Sequence, residues 1–146
     1  MEGQPAGALF GAVNPRELLL TCATGGSGSG SGSDRQKKLV FSSPNGGASW
    51  IPVAQAPTAG IATSVAASPT ETLVLGTNQG IDVLPAGAIA WQPAILSAAA
   101  PSGGFSYVGM TTDTQGIALP ALAAAGTVWF TFDGGLNWKP SPLNGS

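Results

Sequence analysis

The hydrophobic positions of this chain recur as short β-prone runs, each followed by a polar turn and a second β-prone run. The stretch Ala12-Val13-Asn14-Pro15-Arg16-Glu17-Leu18-Leu19-Leu20-Thr21 lines up with Ala67-Ser68-Pro69-Thr70-Glu71-Thr72-Leu73-Val74-Leu75 after small gaps. The segment from Val108 to Leu119 is a third, weaker copy. Each copy leads on to a tryptophan, and Trp50, Trp91 and Trp138 lie 41 and 47 residues apart. A period of that size marks solenoids and propellers.

Each unit reads as four strands. The first predicts strands over Ala8–Val13, Glu17–Ala23, Lys38–Ser43 and Ser49–Ala54, and the second over Ile61–Ala66, Thr72–Thr77, Gly80–Leu84 and Ala90–Ile95. The third predicts Phe105–Met110, Gly116–Ala121, Thr127–Asp133 and Asn137–Pro140. Turn signals punctuate the second unit at Ser68-Pro69, Asn78-Gln79-Gly80 and Pro85-Ala86-Gly87. The Ala-rich stretch from Leu119 to Gly126 has helix propensity, but Pro120 interrupts it and it is too short to hold alone. The expectation is one all-β domain over residues 1–146, with repeats at about 6–57, 58–100 and 101–143.

Composition sharpens this picture. Charged residues make up 8% of the chain, against about 25% in ordinary soluble domains. Hydrophobic types reach 43%, which excludes disorder for most of the length. Five Lys and Arg are too few for a nucleic-acid surface. The 22 Gly and 12 Pro favour tight turns over long helices. No uncharged apolar stretch reaches the roughly 20 residues that span a bilayer, and no basic, apolar leader opens the chain, so a soluble, cytoplasmic protein is expected. The lone Cys22 follows Leu18-Leu19-Leu20 and reads as a small buried hydrophobe.

Residues 24–34 are dominated by a Gly/Ser run that predicts a flexible loop, native or an engineered replacement, spanning about 17 Å for nine residues. Arg35, Lys37 and Lys38 follow it; they read as a solvated end, with a small cationic binding patch as the alternative.

Thr131-Phe132-Asp133-Gly134-Gly135-Leu136-Asn137-Trp138 and Ser43-Pro44-Asn45-Gly46-Gly47-Ala48-Ser49-Trp50 resemble the Asp box, or BNR repeat, Ser/Thr-x-Asp-x-Gly-x-Thr-Trp. The first unit substitutes Asn45 for the acid, and the second keeps Gly87 and Trp91 but has Ala86 at the acid position. Asp-Gly and Asn-Gly turns need the positive φ that glycine supplies without steric cost. The acid or amide can accept bonds from turn amides, and the tryptophan can pack across the turn. The structural turn residues are therefore Ser43, Asn45, Gly47 and Trp50, and Thr131, Asp133, Gly135 and Trp138. The resemblance implies a sialidase-superfamily-like β-propeller, with the box joining the third and fourth strands of each blade.

The box is structural and licenses no chemistry. Catalysis in sialidase-like relatives uses three arginines, a tyrosine with its glutamate, and an acid/base aspartate. This chain offers Arg16, Arg35 and Tyr107, with Asp133 committed to its turn and Glu17 and Glu71 at matching turn positions. It has no histidine and no clustered metal ligands, so no cofactor and no enzymatic activity are expected.

Closed propellers have four to eight blades, so three leave two open ends. An end the size of a standard interface offers about 800 Å², and its apolar part is worth on the order of 10 kcal/mol before association costs. The expectation is a homodimer closing a six-bladed ring, with a trimer or another propeller-forming subunit as competitors. The ring would act as a scaffold, presenting loops and a channel to a protein partner. The alternatives are a glycan-binding propeller, with Tyr107 and Trp129 as stacking residues, and an engineered fragment without a task. Counterparts of Trp129 are Phe41 in the first unit and Val83 in the second, which disfavours a repeated sugar site.

Overall fold

The computed structural model describes residues 5–12, 14, 16–24, 34–122 and 126–143, with backbone alone at 5–10, 12 and 24. The predicted Gly/Ser loop at 24–34 lies, over 25–33, outside the described residues. Within the described residues the chain is all-β. Its strands are β1 (Pro5–Ala12), β2 (Leu18–Thr24), β3 (Lys38–Ser43), β4 (Ile51–Pro52), β5 (Ala62–Ala67), β6 (Leu73–Thr77), β7 (Ile81–Leu84), β8 (Gln92–Pro93), β9 (Ile95–Leu96), β10 (Phe105–Met110), β11 (Gly116–Pro120), β12 (Thr127–Thr131) and β13 (Asn137–Pro142).

They form three sheets in a curled arrangement. Two are four-stranded, in the orders β1-β2-β3-β4 and β5-β6-β7-β8, and the third has the order β10-β11-β12-β13-β9. Consecutive strands within each meander pair antiparallel. The first strands stand side by side, β1 packing against β5 and β5 against β10.

Side-chain alternation places the second sheet between the other two. Its Val65, Ala67, Leu73, Leu75 and Leu84 cluster with Leu19 and Val40 of the first sheet. The alternate residues Ala66, Val74, Ile81 and Val83 cluster with Phe105, Val108, Ala118, Trp129 and Trp138 of the third. Strands β6 and β7 are consequently buried at every position, as expected of strands covered on both faces. For each sheet, the front is the face turned toward the preceding sheet and the back the face turned toward the next.

Among the described residues, the end sheets lack one such cover. On the front of the first sheet, Leu18, Leu20, Cys22, Leu39 and Phe41 are half-buried. Cys22 is therefore not the buried hydrophobe expected from its neighbours, because its face of the sheet is open. On the back of the third sheet, Ile117, Val128 and Phe130 are half-buried, and Tyr107 and Leu119 are 47% and 37% exposed.

The fourth strand predicted over Ala90–Ile95 is divided between two sheets. Gln92 and Pro93 pair with β7, and the Ala94 amide still donates to Ile81 O at 2.8 Å. The next amide, on Ile95, points the other way and donates to Leu136 O at 2.8 Å, and the Ser97 amide donates to Trp138 O at 2.9 Å. Successive amides of an extended chain point to opposite sides, so one segment edges both sheets. Ile95–Leu96 thus belong to the third sheet as a parallel edge strand, and not to the second repeat that spans about 58–100.

Candidate functional site

The two Gly-Gly turns are built alike. In the first sheet, Ser43 Oγ donates to Asn45 Oδ1 at 3.0 Å and accepts from the Gly47 amide at 2.8 Å. Asn45 Oδ1 also accepts from the Ser49 amide at 2.9 Å. In the third sheet, Thr131 Oγ1 donates to Asp133 Oδ1 at 3.0 Å and accepts from the Gly135 amide at 2.9 Å, while Asp133 Oδ1 accepts from the Asn137 amide at 2.9 Å. The glycines have matching left-handed φ values, +68° and +92° at Gly46 and Gly47 and +75° and +90° at Gly134 and Gly135. The second sheet replaces this device with a tighter turn, in which the Ala88 amide donates to Pro85 O at 2.9 Å and Gly87 has φ +74°.

Burial alone would raise the Asp133 pKa, but bonds from the Asn137 side chain and amide and from Thr131 hold it below its ordinary value. Trp138 and Trp91 pack backwards onto the preceding sheet. Trp138 is fully buried in the cluster shared with the second sheet, and its Nε1 donates to Gly135 O at 2.8 Å. Trp91 packs against the first sheet and donates from Nε1 to Ala54 O at 2.7 Å. Trp50 is half-buried beside its own turn, with Cζ2 3.8 Å from the position of a Gly47 β-carbon.

The two residues predicted to stack on a ligand part company. Trp129 is 3% exposed and meets Phe105 edge to face at 5.6 Å, so its ring belongs to the core between the second and third sheets. Tyr107 stands on the open back of the third sheet. The ladders also correct the counterpart of Trp129. Trp129 pairs with Ala118 and Pro140, Phe41 with Leu20 and Pro52, and Asp82 with Leu75 and Pro93. The second-sheet equivalent is Asp82, not Val83, which points to the other face.

Asp82 brings a charge to a position that is aromatic in the other sheets. It is 8% exposed, and burial raises its pKa from 3.8 to about 6, partly offset by the charge of Lys38. Lys38 is wholly buried between the first and second sheets, and its ammonium donates to Ala59 O at 2.9 Å, Gly60 O at 2.7 Å and Gln36 O at 3.4 Å. Burial lowers the Lys38 pKa, and Asp82 raises it in part. The expected solvated end thus keeps Arg35 and Lys37 exposed but loses Lys38 to the interior. The signal was present in the sequence: Lys38 shares the parity of Val40, which faces the second sheet.

Glu17 and Glu71 line one cleft of 190 Å³ between the first and second sheets, with Ser43, Leu73 and Pro85 among its walls. Their turns are equal in length, with five residues between the ladder pairs Ala12/Leu18 and Ala67/Leu73, but the glutamates sit at different positions in them. Leu18 pairs with Ser43 as Leu73 pairs with Leu84, so Glu17 corresponds to Thr72, and Glu71 is one position earlier. By the same register Glu71 corresponds to Arg16, and it takes a left-handed conformation, φ +68°. Arg16 lies in the turn before β2 and Arg35 just before β3, at opposite ends of the first sheet, about 20 Å apart by strand rise. Tyr107 lies on the third sheet, so these groups do not converge.

No family model and no curated protein matches this chain. Among the described residues no helix is long and apolar enough to cross a membrane. What the arrangement offers among the described residues is repeated structure: two equivalent hairpin turns, a buried lysine and a buried aspartate that feel each other's charge, and two uncovered apolar sheet faces at opposite ends of the stack.

Proposed function

We propose that each sheet is one blade of an Asp-box β-propeller and that two copies close a six-bladed ring. In this reading the ring is a non-catalytic scaffold that offers its turn loops and central channel to a protein partner. One observation carries it: the middle sheet is covered on both faces, while the end sheets each leave an apolar face open. The adjacent first strands β1, β5 and β10 support it, since they take the place of innermost strands around an axis. The matching bonds at Asn45 and Asp133 support the box. Separation of Arg16, Arg35 and Tyr107 speaks for a binding role over sialidase-like hydrolysis.

Light scattering tests the assembly. The expected particle has twice the chain mass of 14.3 kDa, and a single species at 14.3 kDa overturns the reading. The scaffold is expected to bind no sugar; glycan binding lost in Tyr107→Ala would favour a lectin-like ring instead.

A further inference from the structure

We infer that the second copy docks head to tail, the back of its third sheet on the front of the other copy's first sheet, repeating the contact between the second and third sheets within one chain. The inference rests on the ring reading and names the surfaces that close it.

The internal contact supplies the template. The turn of the third sheet sits on the back of the second: a β-carbon on Gly135 would come within 3.0 Å of Val74 Cγ2 and 3.5 Å of Val83 Cγ2. Val74 and Val83 are ladder partners, one pair in from Leu73 and Leu84. On the third sheet the corresponding pair is Ile117 and Phe130, one pair in from Gly116 and Thr131. Ile117 and Phe130 therefore form, on an open face, the seat that Val74 and Val83 form on a covered one. Phe132 extends this seat by stacking on Phe130 at 6.3 Å, and it is 67% exposed. An open groove of 530 Å³ runs along it, bordered by Ile95, Phe130, Phe132 and Lys139.

The occupant that fits is a turn of the same construction, and the first sheet carries it. Gly47 has φ +92° against +90° at Gly135, and its amide is held by Ser43 Oγ as the Gly135 amide is held by Thr131 Oγ1. The front that would accompany it presents Leu18, Leu20, Cys22, Leu39 and Phe41, with the exposed Lys37 at its edge. Phe41 stands at the register position of Trp129, the residue that covers the second sheet. The contact is heterologous, and two copies close because, in the ring reading, three blades span half a turn.

Two variants test it: Phe130→Asp on the back of the third sheet and Leu20→Asp on the front of the first. Each alone is expected to run at 14.3 kDa. Mixed in equal amounts they are expected to recover a two-chain particle, since each keeps the surface that the other has lost. If Leu20→Asp alone stays dimeric, the backs meet; if Phe130→Asp alone stays dimeric, the fronts meet. Either result overturns head-to-tail docking and leaves self-assembly standing, whereas a wild-type monomer overturns the ring itself. Phe132→Ser, on a side chain too exposed to support the fold, guards against misfolding. It is expected to weaken the dimer about tenfold or more while keeping the wild-type circular dichroism spectrum. An unchanged dissociation constant overturns the docking.

Discussion

Asp133 and Asn45 each accept the amide four residues ahead at 2.9 Å, so a carboxylate and a carboxamide close the same turn in different sheets. The oxygen that accepts is needed; its charge is a secondary matter. Asp133→Asn should then cost well under 1 kcal/mol, while Asp133→Ala, which leaves the Asn137 amide and Thr131 hydroxyl without their acceptor, should cost about 1–3 kcal/mol. Urea unfolding of the two variants beside the wild type reads the difference.

Glycines of the two turns separate backbone strain from packing. A β-carbon at Gly46 meets nothing within 4 Å, so Gly46→Ala should cost only the left-handed penalty of about 1–2 kcal/mol. Gly135→Ala adds a 3.0 Å contact with Val74 Cγ2 and should cost about 1 kcal/mol more. Equal midpoints in thermal unfolding would contradict this ordering.

Thr21 is fully buried, and its Oγ1 has no hydrogen-bond partner among the described residues. Burying an unpaired hydroxyl costs about 1–3 kcal/mol. Thr21→Val keeps the branched shape, removes that penalty, and should raise the melting temperature by several degrees for about 1 kcal/mol gained. A lowered midpoint would show that the hydroxyl is satisfied.

Acid titration should resolve two carboxylates of opposite sign. Asp82 has a folded pKa of about 6, above its unfolded 3.8, so the folded chain binds the extra proton between those values. Stability from this group accordingly falls as pH rises from about 4 to 6. Asp133 is shifted downward, so its contribution is present above the unfolded pKa and is lost as pH drops through the lower folded value. Asp82→Asn should flatten the slope of unfolding free energy between pH 4 and 6 and leave the more acidic slope, and Asp133→Asn the reverse.

The parts of the fold that local chemistry specifies were legible in the chain. Asn45-Gly46-Gly47 and Asp133-Gly134-Gly135 announce their turns because the conformation needs those residue types. Phe105–Met110 and Lys38–Ser43 occupy the predicted strands to the residue. What depends on distant partners was not legible. The pairing of Ile95 with Asn137 has no trace in either local sequence. The inward direction of Lys38 was legible from its parity with Val40, but the three carbonyls of Gln36, Ala59 and Gly60 that receive it come together only after the chain has folded. Trp129 and Tyr107 are both aromatic and β-prone, and only the stacking order of the sheets buries one and exposes the other.

Ala94 and Ile95 send neighbouring amides to different sheets. Peeling away either sheet therefore breaks a rung at the edge of the other, and that joint stops the second and third sheets from fraying independently. Amide exchange at these two residues should report one shared opening event, a cooperativity written into a single peptide unit.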